Sequence, residues 1–362
     1  MELPEALIKY AKRLGFPDPL TTGYKALKRV FELIYLDHED HAKVISAIPG
    51  TTREIIEKSG LSEEKTREII KMFIDRGGLS GHSKKPGKLV FPVNIGNLKE
   101  FNANWPNAPK EFHELMDVLF FEEIHKESEM LNFVKILDKA SVVRVLPVDE
   151  TVNQENKIMD IDSAHAIFDN ADLISAVPCG CRAGSKVANR KANDRETECP
   201  APKDLNICFQ TNSHAARVLK RDIGGEKITA EEAKRRLDLT EEAGLIHMVA
   251  NVVDKSNSYI LCNCCSCCCS GVYWINSGYG GLYAPSRFGI KLDAQACSGC
   301  GDCEERCQFS LISFNDEDTT PVIEFDKCYG CGNCVITCPE EALSLEEVRA
   351  KDHIHEEDTY FV

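Results

Sequence analysis

No cysteine occurs before Cys179, although the chain of 362 residues carries 18. Thiol chemistry is thereby confined to residue 179 onward, and the stretch before it is a different kind of protein. Long apolar runs are missing too: none approaches the roughly 18 residues that cross a bilayer, and the opening "MELPEALIKYAKRLGF" lacks the apolar core of a secretory signal. The expected location is the cytoplasm, with no membrane span. Basic residues fall short of acidic ones, 43 Lys and Arg against 58 Asp and Glu for a net charge of -15. That balance argues against general nucleic-acid binding, which needs clustered cations for the phosphate backbone, and suits docking on a basic patch of a partner. Nucleotide and hydrolase signatures are absent as well. "SGYGG" at 277–281 lacks the G-x-G-x-x-G order and reads as a flexible loop, and there is no P-loop or nucleophile elbow.

What is present is an ordinary globular composition, 43% hydrophobic and 28% charged, with length for two or three domains. Only the acidic end, "RAKDHIHEEDTYFV", reads as a solvated tail. In reducing cytosol disulfide frameworks are disfavoured, so metal ligation is the default reading of the cysteines.

In the first half, "TTREIIEKSGLSEEKTREIIKMFIDRGGLS" spaces Ile55, Ile56, Leu61, Ile69, Ile70, Phe73 and Ile74 as the apolar stripe of two short helices, with Ser62 as an N-cap. "GHSKKPGKLVFPVNI" follows as a turn and β-ribbon. This order resembles a winged helix-turn-helix domain over residues 25–98. Further on, "EFHELMDVLFFEEIHKESEMLNFVKIL" reads as a long helix and "SVVRVLPV" as a strand. "DNADLISAVPCGCR" reads as a strand delivering Cys179 and Cys181 to a loop, and "SYIL" as a second strand feeding the run "CNCCSCCC" at 262–269. Two strand ends thus carry cysteines and are placed to converge. Between them, "SHAARVLKRDIGG" is a helix closed by glycine, and Thr229 with Glu232 predicts a capping box at the start of the next.

"CSGCGDCEERCQ" at Cys297 and "CYGCGNCVITCP" at Cys328 form an internal repeat, each C-x2-C-x2-C-x3-C. The repeat resembles the bacterial two-cluster ferredoxin domain over residues 289–347. The resemblance implies two [4Fe-4S] clusters, one held by Cys297, Cys300, Cys303 and Cys338 and the other by Cys328, Cys331, Cys334 and Cys307, with one-electron transfer at low potential as the function. Gly299, Gly301, Gly330 and Gly332 let backbone N–H groups approach sulfur, and Leu311, Ile312, Phe314, Leu343 and Leu345 are candidate apolar cover. One position departs from the repeat: Gln308 stands where Pro339 follows the last cysteine of the other half. A locally altered turn is expected there. Zinc is the alternative for C-x2-C pairs, and the doubled order of eight disfavours it.

Ten cysteines remain. Cys179, Cys181, Cys199 and Cys208 form one group, for a third cluster, zinc or no ligand at all; Cys262, Cys264, Cys265, Cys267, Cys268 and Cys269 form another, for a further cluster, redox thiols or buried apolar packing. Neighbouring side chains on a strand face opposite ways, so the run needs an irregular backbone if adjacent thiols are to share a metal. Adjacent cysteines resemble those of the iron-sulfur subunits of heterodisulfide reductases, whose longer repeated pattern this chain lacks. The whole chain is similar to multi-domain iron-sulfur proteins of anaerobes with a helical N-terminal region, a "PCxCR" loop, a "CNCC" run and a C-terminal ferredoxin. Arg182 is a candidate donor to a cluster or a surface ion-pair partner, His247 a core histidine before a ligand, and Tyr273, Trp274 and Tyr279 packing at a domain junction.

The fold expected is α+β and multi-domain: a winged-helix-like domain (1–98), a cysteine-rich α/β domain (99–288), a two-[4Fe-4S] ferredoxin-like domain (289–347) and an acidic tail (348–362). The function expected is electron transfer to or within an anaerobic oxidoreductase complex, with a redox protein or oxidoreductase subunit as partner. The alternatives are a redox-sensing winged-helix regulator and a reductase whose catalytic site lies in the central region.

Overall fold

The computed structural model describes residues 2–82, 85–102, 105, 107–123, 126, 143–151, 162–190, 198–221, 223–251, 258–278, 283–315 and 320–354. Outside them lie Ser83 and Lys84 of the expected ribbon, most of the long helix beyond Glu123, Tyr279 with the rest of "YGG", and the tail beyond Ile354.

The first third is helical: α1 (Glu5–Arg13), α2 (Thr22–Tyr35), α3 (Glu39–Ser46), α4 (Thr52–Ser59), α5 (Glu63–Asp75), α6 (Ile95–Asn102) and α7 (Lys110–Asp117), the last running on into a wider turn at Val118–Glu123. Strands β1 (Gly50–Thr51), β2 (Ser80–Gly81) and β3 (Lys88–Val90) form a small antiparallel sheet in the order β1-β3-β2. Ile55, Ile69, Ile70 and Phe73 are buried as their spacing predicts, among Phe31, Tyr35 and Phe91. Ser62 caps α5 by accepting from the Lys65 N–H. The same apolar core continues through Phe112 to Phe121, well past residue 98.

The central region is built on a seven-stranded sheet: β4 (Val143–Leu146), β5 (Ile174–Val177), β6 (Cys208–Thr211), β7 (Glu226–Ile228), β8 (Ile246–Ala250), β9 (Ile260–Cys264) and β10 (Tyr283–Ala284), in the order β10-β4-β8-β9-β6-β5-β7. Only the β10–β4 pair is parallel among these described strands. The two-residue period of strands separates its faces. Leu146, Phe209, Val249 and Leu261 pack with α8 (Ala164–Asp169) and α11 (Ala230–Glu242); Val145, Ile246, Met248, Cys262 and Cys264 look the other way, towards α12 (Ser270–Asn276). Two shorter helices, α9 (Gly180–Ala188) and α10 (Asn212–Val218), follow β5 and β6.

Capping differs from expectation at one end of α11. Thr229 Oγ1 accepts from the Glu232 N–H at 3.2 Å, but the Glu232 carboxylate does not reach back, because Arg235 and Arg236 both hold it at 2.7 Å. The reciprocal capping box occurs instead at α4, between Thr51 and Glu54.

The C-terminal unit pairs β11 (Phe288–Leu292) with β14 (Leu343–Glu347), and β12 (Ile312–Ser313) with β13 (Val322–Ile323), around two short helices, α13 (Asp302–Arg306) and α14 (Asn333–Ile336). It is fastened to the central sheet by polar contacts. Arg306 donates to the Glu241 and Glu242 carbonyls at 2.6 and 2.7 Å, a cation on the carbonyl end of α11. Gly244 next to them has φ +72°, and a side chain there would press on the Arg306 guanidinium. The Val148 N–H donates to the Cys331 carbonyl at 2.9 Å.

Arg287 forms a buried ion pair with Asp162 at 2.6 Å and also holds Glu347. Asp162 is only 2% exposed and cannot turn to water. Removing one partner of such a pair strands a charge, at about 3–5 kcal/mol. Arg287→Met should therefore lower the thermal midpoint sharply in calorimetry, and adding Asp162→Leu should restore most of the loss.

Candidate metal and cluster centre

The two cysteine-bearing strand ends meet. In the register of β5, β6 and β9, Val177 lies opposite Cys208 and Phe209 opposite Leu261, so the next rung sets Cys208 against Cys262. Their sulfurs are 3.9 Å apart. Cys262 and Cys264, two residues apart on β9, share the face towards α12. After Cys264 the chain leaves the sheet in a turn through Ser266, Cys267 and Cys268, then enters α12 with Cys269 as its N-cap.

The run "CNCCSCCC" is thereby divided. Cys262, Cys264 and Cys269 join Cys179, Cys181 and Cys208 in a chain of sulfur contacts: Cys179 to Cys181, Cys181 to Cys269, Cys269 to Cys264, Cys264 to Cys262, and Cys262 to Cys208. Cys265, Cys267 and Cys268 turn instead to Cys199, and these four sulfurs all lie within 4.8 Å of one another. Each of the two groups drawn from the sequence thus contributes to both assemblies. Cys199 sits with members of the run, while Cys179, Cys181 and Cys208 sit with the others.

Both assemblies are too crowded for every thiol to ionise. In the six-sulfur chamber, Cys181 is held well below the ordinary thiol range by hydrogen bonds from Cys179 and Cys269, with Lys99 adding positive charge. Cys262 is held low by Cys208 and Cys264. Their donors move the other way: Cys264 lies well above the ordinary range because of Cys262, Cys269 and burial, and Cys269 is pushed up to about 12, chiefly by Cys181. In the four-sulfur group the Cys199 thiol is pushed down by hydrogen bonds from Cys265, Cys267 and Cys268, and Cys268 is pushed up correspondingly. Soft cations relieve such competition by replacing the shared protons.

Arg182 stands between the assemblies. Its Nη2 donates to the Asn263 carbonyl at 3.0 Å and to Cys265 Sγ at 3.7 Å. Burial works against its charge, but the facing sulfurs of Cys179, Cys265 and Cys199 outweigh it and hold its pKa above the ordinary value. Of the two readings of Arg182, the geometry fits the sulfur donor. His247 is a satisfied core residue, with Nδ1 against Asn263 Oδ1 at 2.6 Å and Nε2 against Glu241 Oε1 at 3.0 Å. Tyr273 and Trp274 pack the junction with the N-terminal core: Trp274 Nε1 donates to the Phe120 carbonyl at 2.7 Å, and Tyr273 donates to that of Phe121 at 3.1 Å.

In the C-terminal unit, Cys307, Cys328, Cys331 and Cys334 line one cavity, with Gly330 and Leu311 among the remaining walls. These four are the set that the ferredoxin resemblance implies for one cluster. Backbone donors already point at sulfur, from Gly330 N to Cys328 at 3.3 Å and from Leu311 N to Cys307 at 3.4 Å. Gly330 has φ +61°, and a Cβ there would meet the Phe288 carbonyl oxygen at 2.1 Å, so no other residue fits this approach. Burial pushes the Cys331 thiol up to about 12 and Cys303 up to about 11, so in the absence of a cation both stay protonated. Cys303 and Cys334 pack in one core, flanked by Cys338. The donor set, the cavity and the backbone N–H groups fit a [4Fe-4S] cluster.

This unit is of the iron-sulfur-binding class. Residues 296–342 match the 4Fe-4S dicluster domain family, a span that contains all eight cysteines of the repeat. No curated protein and no solved structure matches the chain.

Gln308 turns out to be the joint between this unit and the cysteine run. Its buried Oε1 accepts from Ser266 N at 3.0 Å and from Ser266 Oγ at 2.7 Å, and its carbonyl accepts from Asn276 Nδ2 at 3.1 Å. Proline has no side chain that could do this. The departure from the repeat was visible in the sequence; its partner Ser266 was not. Lys99 gave no signal at all, yet it reaches from α6 to the Ser270 hydroxyl and faces Cys181. Gln308→Leu removes the buried acceptor that the Ser266 N–H and hydroxyl share, a loss of about 1–3 kcal/mol. Chemical denaturation should show that loss, and Gln308→Glu, which keeps an acceptor, should lose less.

Proposed function

We propose that the chain is an iron-sulfur electron-transfer protein in which the dicluster domain is coupled to a further cluster site in the six-sulfur chamber. The observation that carries this is a shared apolar cluster: Cys307 and Cys331 of the dicluster domain pack into the same group as Cys262, Cys264 and Cys269. Phe309 and Tyr329 fill it with rings stacked at 4.6 Å. The first cluster of the domain is assigned to Cys297, Cys300, Cys303 and Cys338, the second to Cys328, Cys331, Cys334 and Cys307. Clusters of this kind supply one-electron steps at low potential. The residues of the chain hold the two sulfur sites at a fixed separation, keep water from between them and set the local charge through Arg182 and Lys99.

The N-terminal domain reads as winged-helix-like and serves to dock a redox partner, such as an anaerobic oxidoreductase subunit. The cations of α5, the helix that would face DNA, are engaged with acids of the same chain: Arg67 with Glu63 at 2.7 Å, Lys71 with Asp75 at 2.5 Å, and Lys65 with Asp40. Glu63, Glu64, Glu68 and Asp75 thus stand among the three cations of α5, and that mix weakens a regulator reading, since carboxylates repel a phosphate backbone.

A second reading, a reductase acting in the central region, is favoured by one pocket. It opens on Cys181 and is lined by Lys99, His113, Met116, Asp117 and Arg190. Arg190 pairs with Asp117 at 2.8 Å, and burial lifts the Asp117 carboxyl above its usual range against that pairing. A small electrophile held there would meet a sulfur and several proton donors.

Protein purified without oxygen should show [4Fe-4S] EPR signals on reduction, and Cys331→Ser should remove about four irons and leave the other dicluster site reducible. Absence of labile sulfide from the intact chain would refute the electron-transfer reading. Turnover of a small oxidised substrate that disappears in Cys181→Ser would favour the reductase.

A further inference from the structure

We infer that Cys199, Cys265, Cys267 and Cys268 form a site for a single thiolate-bound metal ion, zinc first, separate from every iron-sulfur cluster. Four thiolates around one zinc ion, each at about 2.3 Å, lie at the corners of a tetrahedron with edges of about 3.8 Å. Two pairs lie close to that edge length, Cys199 to Cys265 at 3.7 Å and Cys267 to Cys268 at 3.6 Å, and no pair lies beyond 4.8 Å. A cube gives each thiolate its own iron corner and so needs a wider ring of ligands. The chain contains its own comparison. Among the described residues this is the one group of three or more candidate ligands drawn so close, and the eight cysteines of the dicluster domain do not form another.

The donor set is that of a structural site. Ala201, Ile207 and Leu245 are buried against Cys265 and Cys268, which are buried too, while Cys199 and Cys267 are half-buried at the rim. Four thiolates on a divalent ion leave a net charge of -2, and the chain offers partial compensation: Arg182 donates to Cys265, and the Ala201 N–H donates to Cys199. All four positions are filled by protein, so no coordination site remains for a substrate. The consequence is mechanical. The ion ties the loop at Cys199 to the turn after β9, and that turn also carries Ser266, the partner of Gln308. It thereby fixes the approach of the dicluster domain to the six-sulfur chamber, a role that holds whichever cofactor the chamber carries.

The test uses the full chain, expressed with zinc and iron both supplied and purified without oxygen. Metal analysis should give about one zinc per chain, and zinc-edge X-ray absorption about four sulfur neighbours at about 2.3 Å with no iron neighbour. The wild-type spectrum decides without any substitution. Cys199→Ser combined with Cys268→Ser should then abolish the zinc and leave iron and labile sulfide unchanged. Isolated four-sulfur iron in the Mössbauer spectrum, lost in the same variant, would support the single-ion site with iron as its occupant. Loss of about four irons and matching sulfide in that variant, nitrogen or oxygen ligands at the zinc edge, or neither zinc nor isolated iron, would overturn it. None of these outcomes touches the dicluster domain, so this inference can fail while the electron-transfer reading stands.

Discussion

Sulfur atoms crowded at one sheet edge cannot all carry charge unless cations lie between them. Two thiolates about 4 Å apart repel by about 4 kcal/mol at an effective dielectric constant of 20. Ten thiols meet at the end of the central sheet, and without metal they divide into proton acceptors such as Cys181, Cys199 and Cys262 and proton donors such as Cys264 and Cys268. Arg182, placed between the two assemblies, supplies one positive charge for both. The sulfurs are accordingly held in two separate assemblies, six in one and four in the other.

The separation is achieved by elementary backbone geometry. As long as the run stays on β9, its cysteines at alternate positions look towards α12, while Asn263 between them faces His247 and the Ile207 carbonyl. Once the chain leaves the strand, the turn through Ser266 sends Cys265, Cys267 and Cys268 towards Cys199, and α12 returns Cys269 to the first assembly. Gln308 accepts from both donors of Ser266 and so carries this arrangement across to the residue after Cys307. A single side chain links the turn to the dicluster domain.

Much of this was legible in the sequence, and what was not is informative. The doubled cysteine spacing marked the dicluster domain because its ligands are local, each triplet lying within one loop. The convergence of the strand ends followed from hydrophobic runs that stop at cysteine. The division of the ten central cysteines was hidden, because it depends on which strands are neighbours and on a turn of three residues. Sequence proximity suggested Cys179, Cys181, Cys199 and Cys208 as one group, whereas sheet register sends Cys208 to Cys262 and the turn sends Cys265 to Cys199. Glu232 shows the same limit at a smaller scale, since its capping role was lost to two arginines on its own helix.

A redox cluster in the six-sulfur chamber, beside the dicluster domain, is the part of the proposal on which the rest turns. Mössbauer spectroscopy of the 57Fe-enriched full chain, compared with Cys262→Ser combined with Cys264→Ser, addresses it most directly. About four irons beyond the eight of two cubes are expected, present in the intact chain and lost in the variant while the two cubes remain. About eight irons in both proteins, with identical spectra, would contradict it.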